Sequence, residues 1–179
     1  MKILVTGITG QLGYDVVKEL NKRHVECIGV GRKEFDITDA NATRAFIVNY
    51  HPDVVIHCSA YTAVDKAEDE DALCHAVNVN GTENIAKACK EIDAKMVYIS
   101  TDYVFPGTGD KFYEVDDATG PTNVYGKTKL LGEKAVQDTL KKYFIVRISW
   151  VFGKNGKNFI KTMLRLGREK QELTVVADQ

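Results

Sequence analysis

A glycine-rich turn close to the amino terminus constrains the fold of this chain more than any other feature. Residues 6–13 read TGITGQLG, with a short apolar run before them and a helical pattern after them. The three glycines are Gly7, Gly10 and Gly13, in GxxGxxG spacing. Between a strand and a helix, such glycines permit a tight turn, close approach of a pyrophosphate and close helix–strand packing. The pattern predicts a dinucleotide site at a helix N-terminus.

Short apolar runs alternate with longer amphipathic segments along the rest of the chain. We expect strands at residues 2–6, 25–30, 53–58, 95–100, 143–148 and 173–176, and helices at 11–22, 39–50, 69–92, 123–140 and 158–169. This alternation favours parallel crossovers and an α/β, Rossmann-type doubly wound parallel sheet. Thr38 is the expected N-cap of the second helix. Asn78, Asn80 and Gly81 are expected to weaken the third helix.

Composition excludes several classes of function. A chain of 179 residues fits one domain spanning 1–179, and a net charge of −1 favours neither a nucleic-acid nor a membrane partner. The sequence enters a strand pattern directly after Met1, without a signal-peptide pattern, which predicts a cytoplasmic protein. The four cysteines form no CxxC pair, so we expect free thiols and no metal site.

Tyr125 and Lys129 form a candidate acid–base pair. They are four residues apart in a predicted helix and therefore share one face. A neighbouring ammonium favours the phenolate, so we expect it to lower the pKa of Tyr125, which would then act as a general acid toward a carbonyl oxygen. Thr101 follows the fourth predicted strand, at the sheet edge where ligands bind. Its hydroxyl is placed to orient that carbonyl.

The end of the second predicted strand bears on the choice of cofactor. No acid precedes Glu34 at the position where a carboxylate would bind the ribose of NAD, whereas Arg32 and Lys33 are suited to a 2′-phosphate. The cofactor is therefore expected to be NADPH or NADH, with NADPH favoured or both tolerated. Asp36 and Ile37 follow and place a carboxylate and an apolar edge near the adenine.

Several motifs together resemble the extended short-chain dehydrogenase/reductase family, and within it the dTDP-4-dehydrorhamnose reductase group. Beside TGITGQLG they are AYTAVDKAE (60–68), VNVNGTENIA (77–86), STDYVFPGTGD (100–110), NVYGKTKLLGEKA (123–135) and RISWVFG (147–153). The resemblance implies NAD(P)H-dependent reduction of dTDP-4-dehydrorhamnose to dTDP-L-rhamnose, a step of polysaccharide biosynthesis. It implies hydride transfer to the C4 carbonyl, with the tyrosine as proton donor.

The resemblance also implies roles for individual residues. The catalytic residues would be Thr101, Tyr125 and Lys129, and the substrate contacts Thr101, Asp102 and Trp150. The cofactor contacts would include Gly10, Gln11 and Leu12 at the pyrophosphate, Asp36 and Ile37 at the adenine, and Ala60, Tyr61 and Thr62 in the cleft. Members of the family are longer than this chain. We therefore expect an amino-terminal portion that lacks the carboxy-terminal part of the nucleotide-sugar pocket. A homodimer is a further expectation.

Two other readings of the motifs stay open. One is a non-catalytic NADP-binding regulatory subunit, similar to the β-subunit of methionine adenosyltransferase. The other is a different activity of the extended family, such as nucleotide-sugar epimerisation. Dehydration is disfavoured because Tyr103 follows Thr101 and Asp102 where dehydratases place an acid.

Overall fold

A parallel sheet of five strands forms the centre of the computed structural model, which describes residues 1–109 and 112–175. The strands are β1 (Ile3–Thr6), β2 (Cys27–Val30), β3 (Val54–His57), β4 (Lys95–Thr101) and β5 (Tyr143–Ile148), in the order β2-β1-β3-β4-β5. Every neighbouring pair is parallel. The direction of winding reverses between β1 and β3, which is where ligands bind in open α/β sheets. The predicted doubly wound α/β class is confirmed.

Seven α-helices connect or follow the strands in the described residues. They are α1 (Gln11–Lys22), α2 (Ala40–Tyr50), α3 (Val64–Ala67), α4 (Asp71–His75), α5 (Thr82–Glu91), α6 (Val124–Thr139) and α7 (Phe159–Glu169). Among the described residues, no helix has the length and apolar character needed to cross a membrane.

The helix predicted over 69–92 is interrupted where the sequence indicated weakness. A π-helical turn, Ala76–Gly81, lies between α4 and α5. Its wider turn carries Asn78 inward, where the side chain accepts a hydrogen bond from the Tyr61 backbone N–H at 2.8 Å. A Cβ at Gly81 would press on the Ile37 side chain. Single π-helical turns are often found at functional sites.

The predicted N-cap of α2 is wrong by one residue. Asp39 caps the helix, because its Oδ1 accepts from the N–H groups of Asn41 and Ala42 at 2.9 and 3.0 Å. The Thr38 hydroxyl donates instead to Asp36 Oδ1 at 2.8 Å. The carboxylate of Asp39 therefore satisfies the free N–H groups of the first turn.

The sixth strand predicted over 173–176 is not found in its described part. Residues 173–175 form neither helix nor strand, and Val176 lies outside the described residues. A short apolar run becomes a strand only where a neighbour pairs with its backbone. No strand of the described sheet does so here.

The main core lies between the sheet and α2, α5 and α6. Fully buried residues there include Leu4, Val55 and Met96 from the strands, together with Ile47, Ile85 and Val136 from the helices. Burying a side chain of this size stabilises the fold by roughly 1.5–3 kcal/mol. This core fixes α6 against β4, and thereby positions the residues described next.

Candidate active site

A cavity of about 910 Å³ opens at the carboxyl ends of the strands. It is lined by the glycine turn, the ends of β2, β3, β4 and β5 and the start of α6. Most site residues predicted from the sequence contribute to this lining: Gly7, Gly10, Gln11, Leu12, Gly13, Arg32, Asp36, Ile37, Ala60, Tyr61, Thr62, Thr101, Asp102, Tyr125, Lys129 and Trp150. The structure thus brings these residues together, while their individual roles remain predictions. Lys33, the other candidate for the 2′-phosphate, does not line the cavity.

The glycine turn forms one wall of the cavity. Gly7 has φ of +75°, in the left-handed region, and its carbonyl accepts from the Gly10 N–H at 2.9 Å. A side chain at Gly13 would collide with that carbonyl, so the helix lies directly against the turn. Gly10 is the N-cap of α1 and no side chain caps the helix. Because the first-turn N–H groups lack a side-chain partner, the turn fits the pyrophosphate of a dinucleotide.

The floor of the cavity is a buried hydrogen-bond network around His57. The Thr6 hydroxyl accepts from the N–H groups of Cys58 and Ser59 at 3.2 and 3.1 Å, and lies 2.7 Å from His57 Nδ1. On the other side, His57 Nε2 lies 3.3 Å from the Thr82 hydroxyl. Burial, and secondarily the charge of Lys129, lowers the pKa of His57 to about 3. The ring is therefore neutral, and its hydrogen bonds to Thr6 and Thr82 give it a structural role.

Lys129 is buried behind the acid–base site. Its side chain is 2% exposed, and its Nζ donates to the Ile99 carbonyl at 2.8 Å. The ammonium also lies 4.1 Å from the centre of the Tyr98 ring. Burial lowers the pKa of Lys129 to about 7, although Glu133 and two cysteines act in the opposite direction. Its charge is therefore sensitive to its surroundings near neutral pH.

The pKa of Tyr125 is shifted in the direction opposite to that predicted. Burial raises the pKa of Tyr125 to about 12, although a hydrogen bond with the Thr101 hydroxyl opposes the shift and the Asp102 carboxylate adds to it. Lys129 directs its ammonium to Ile99 and the Tyr98 ring, so desolvation dominates. Tyr125 is thus fully protonated at neutral pH, as a proton donor must be.

Tyr103 packs against the Tyr125 ring, and Thr101 fixes the backbone of Tyr103. The Thr101 hydroxyl donates to Asp102 Oδ1 at 2.8 Å and accepts from the Tyr103 N–H at 3.2 Å. The Tyr103 ring packs edge-on against Tyr125, with ring centres 5.6 Å apart. The Thr101 hydroxyl at the end of β4, the Asp102 carboxylate and the Tyr125 phenol of α6 all line the cavity.

Arg32 lies at the rim of the cavity near Asp36. Its side chain is 73% exposed, and its Nε lies 3.4 Å from Asp36 Oδ2. Hydrogen bonds from Thr38 lower the pKa of Asp36, with a smaller contribution from Arg32. The Glu34 carboxylate accepts from the N–H of Gly31, a residue of the cavity lining, at 2.6 Å. The exposed guanidinium fits the predicted contact with a 2′-phosphate.

Trp150 belongs to a second wall of the cavity. Its backbone adopts φ of +51°, and its ring, on a residue 56% exposed, packs edge-on against Phe159 at 5.1 Å. Asn158 joins this wall to the glycine turn, because its Nδ2 donates to Gln11 Oε1 at 2.9 Å. The predicted substrate residue Trp150 therefore lines the same cavity as the acid–base residues.

Sequence reasoning missed the role of Asn78. Its Nδ2 donates to the Tyr61 carbonyl at 3.2 Å and to the Thr128 hydroxyl at 3.1 Å. It thereby joins the loop after β3 to α6. The interrupted helical pattern at 76–81 was the available signal, but it revealed a weak helix without revealing what the polar side chain binds.

The cysteines agree with the prediction of free thiols. Cys27, Cys58, Cys74 and Cys89 form no disulfide. Within residues 1–109 and 112–175, no group of histidine, cysteine or acidic side chains is arranged to hold a metal ion.

Comparison with known proteins gives a consistent result over the whole chain. The sequence model of the family described as the RmlD substrate binding domain matches residues 1–179. The chain belongs to this family. A relative within the RmlD family, dTDP-4-dehydrorhamnose reductase of Salmonella typhimurium, is 47% identical over 100% of this chain and 61% of its own length.

Two solved RmlD-family structures have the same fold. A dTDP-4-dehydrorhamnose reductase from Bacillus anthracis, solved in complex with NADP, superposes with a TM-score of 0.96 at 44% identity, over 99% of this chain and 63% of its own. The orthologue from Clostridium acetobutylicum gives a TM-score of 0.96 at 45% identity, over 100% of this chain and 64% of its own. The chain therefore spans less than two thirds of the length of these RmlD relatives.

Proposed function

We propose that this chain is the Rossmann part of an NAD(P)H-dependent reductase that converts dTDP-4-dehydrorhamnose to dTDP-L-rhamnose. One observation carries the proposal. Thr101, Tyr125 and Lys129 line the same cavity as an uncapped helix N-terminus that fits a pyrophosphate. Relatives covering the whole chain are dTDP-4-dehydrorhamnose reductases, and one of them is solved with NADP.

The bound nicotinamide cofactor supplies a hydride to the C4 carbonyl carbon. The Tyr125 phenol, protonated at neutral pH, donates its proton to the C4 oxygen. The Thr101 hydroxyl forms a hydrogen bond to the same oxygen and orients it. The Lys129 ammonium donates to the Ile99 carbonyl in this structure and would turn toward the phenol oxygen to stabilise the phenolate that remains. Asp102 and Trp150 hold the sugar, and the exposed Arg32 favours NADPH over NADH.

The residues supplied by this chain account for the cofactor side of the pocket and for the acid–base residues. Much of the nucleotide-sugar pocket would come from a carboxy-terminal part of the full-length protein, because the relatives are longer than this chain. A homodimer and a cytoplasmic location stay predictions from the sequence.

The test is oxidation of NADPH and of NADH by the full-length protein with dTDP-4-dehydrorhamnose. Replacing Tyr125 by Phe keeps the ring but removes the proton, so turnover should fall by about 10²–10⁴-fold, the usual contribution of a general acid. Tyr143→Phe is the matched control, because Tyr143 lies on β5 and does not line the cavity.

Equal turnover of Tyr125→Phe and wild type would refute the assigned proton donor. Absence of NADPH oxidation by the wild type would refute the reductase. If that inactive protein still bound NADP, the regulatory-subunit reading would be favoured. Tightly retained oxidised NAD in the purified protein would favour an epimerase.

A further inference from the structure

A buried carboxylate lies one helical turn beyond Lys129. Glu133 is 1% exposed, and both of its oxygens are bound. Oε1 accepts from the Ser100 hydroxyl at 2.5 Å and from Arg147 Nε at 3.0 Å, while Oε2 accepts from Arg147 Nη2 at 2.8 Å. A carboxylate is kept in such a place only when its charge is compensated and its lone pairs are bound. Sequence reasoning gave Glu133 no role.

Two consecutive residues of β4 hold two side chains of α6. The Ile99 carbonyl accepts from Lys129 Nζ, and the Ser100 hydroxyl donates to Glu133. The next strand residue, Thr101, lines the cavity together with Tyr125. Because residues four apart share one helix face, Tyr125, Lys129 and Glu133 form a single row along the strand. Glu133 thus fixes the end of the row that carries the acid–base pair.

Arg147 extends this arrangement to the neighbouring strand β5. Its Nη1 donates to the Val115 carbonyl at 3.3 Å, and its guanidinium lies 4.9 Å from the centre of the Phe105 ring. The bidentate pair with Glu133 therefore joins α6, β4, β5 and the segment after β4. A pair with this geometry restricts both partners more strongly than a single contact does.

The groups facing Lys129 come from every element packed against it. Tyr125 and Glu133 belong to its own helix, Tyr98 to β4, His57 and Cys58 to the end of β3, and Cys74 to α4, while Arg147 of β5 acts through Glu133. Burial raises the pKa of Cys58 and of Tyr125 to about 12 and lowers that of His57 to about 3. It also raises the pKa of Tyr98 and of Cys74. Among these groups, Glu133 is the one that presents an anion to Lys129.

We propose that Glu133, clamped by Arg147 and Ser100, is a positioning residue that keeps the Lys129 ammonium charged and in register with β4. The proposal rests on the reductase function proposed above, in which Lys129 stabilises the Tyr125 phenolate. Glu133 itself does not line the cavity; its side chain reaches the lining only through the hydroxyl of Ser100.

The experiment compares Glu133→Gln, Arg147→Gln and the double variant in the full-length protein. The titration of Lys129 is followed directly by NMR of ¹³C-labelled lysine, assigned with Lys129→Met, and does not depend on activity. Loss of the anion should lower the titration midpoint of Lys129 by about one pH unit, and loss of the Arg147 cation should raise it by about as much. The double variant removes both charges, so its midpoint should return toward that of the wild type.

The directions of these midpoint shifts distinguish the proposal from a role of Glu133 in packing alone. Looser packing would admit water to Lys129 and move all three midpoints upward, toward the value of an exposed lysine. An upward shift in Glu133→Gln, or unchanged midpoints in both single variants, would overturn the proposal. Circular dichroism identifies a variant that does not fold. In that case Glu133→Asp, which keeps the charge but shortens the side chain, should retain the wild-type midpoint.

Turnover provides a second readout. The pH at which kcat falls on the alkaline side should move with the Lys129 midpoint in each variant, while KM for NADPH stays nearly constant. If the wild type reduces the sugar but the Lys129 midpoint does not change in the variants, the role proposed for Glu133 is refuted and the reductase function is not. A wild type without reductase activity would refute the proposed function, and the NMR titration would still decide whether Glu133 sets the charge of Lys129.

Discussion

Helices α6 and α7 start in the same way and finish in different environments. Asn123 caps α6 and Asn158 caps α7, each through a side-chain oxygen that accepts from a backbone N–H three residues later. Helix α6 buries a face that includes Lys129 and Glu133, whereas α7 has no buried residue. Its apolar residues Phe159, Ile160 and Leu164 are 43–61% exposed. A cap and an amphipathic pattern are thus enough to define a helix, but packing partners decide how firmly it is held.

The two walls of the cavity differ in burial in the same way as α6 and α7. The wall built from β4 and α6 is buried and closely hydrogen-bonded, while the wall that carries Trp150 leads into α7. Regions with few buried contacts open at lower free energy than the core does. Substitutions in the first wall should therefore change stability and proton transfer, and those in the second should mainly change substrate binding.

The same substitution in the two helices gives the largest expected contrast. A Cβ at Gly132 of α6 would collide with the Tyr98 hydroxyl and lie 2.7 Å from the Asn78 carbonyl, whereas one at Gly167 of α7 would meet nothing within 4 Å. Gly132→Ala should lower the free energy of unfolding by about 1–3 kcal/mol, as overpacking does. Gly167→Ala should raise it by about 0.5–1 kcal/mol, because alanine loses less backbone entropy in a helix. Urea unfolding of the 179-residue chain measures both.

Gly167→Ala serves as the control for helix propensity. If Gly132→Ala and Gly167→Ala raised the free energy of unfolding equally, the conclusion that α6 packs closely against β4 would be refuted.

The buried hydrogen-bond network around His57, in the cavity floor, should make the free energy of unfolding depend on pH. The exposed wall that carries Trp150 should not. His57 has its pKa lowered to about 3 in the folded state, below its value of about 6.5 when unfolded. The unfolded chain thus binds one more proton between these values. The stability contributed above pH 6.5 is lost as the pH falls toward 3, by about 1.4 kcal/mol per pH unit. Replacing His57 by Gln should remove this part of the slope in urea unfolding between pH 6 and 4.

The comparison of slopes separates titration from packing. Any loss of packing in His57→Gln appears already at pH 7, where the wild-type imidazole is neutral in both states. A variant with the wild-type slope would show that His57 is not the group that titrates.

The smallest effect is expected at Trp150. Loss of an aromatic contact worth about 1.4 kcal/mol raises KM tenfold, so Trp150→Ala should raise KM for the nucleotide sugar by about tenfold and change kcat little. Phe152→Ala is the matched control, because Phe152 is 68% exposed in the same segment but does not line the cavity. Equal effects of the two variants on KM would argue against a sugar contact by Trp150.

Much of the fold could be predicted from the sequence because its signals are local. The glycine spacing, the apolar runs of β1 to β5 and the helical patterns of α6 and α7 depend on neighbours within a few residues. The positions of Thr101, Tyr125 and Lys129 in one cavity follow from a further rule, since parallel strands deliver their carboxyl ends to one edge.

The errors arose where distant contacts decide the outcome. The pKa of Tyr125 depends on burial by residues far along the chain, so the i, i+4 lysine alone gave the wrong direction. Residues 173–175 have an apolar pattern but no strand beside them. Glu133 was missed because its partner Arg147 lies fourteen residues away, on another strand.

Tyr125, Lys129 and Glu133 face β4 from one side of α6, and this arrangement limits where residues can be inserted or deleted. Each residue of an α-helix turns the chain by about 100°, so one residue inserted between Tyr125 and Glu133 would rotate part of the row away from the strand. No compensating shift of β4 could restore it, because successive strand residues point to opposite faces of the sheet. The segment between β4 and α6 is free of this constraint. Insertions and deletions should therefore accumulate in that loop, while the number of residues from Tyr125 to Glu133 stays fixed.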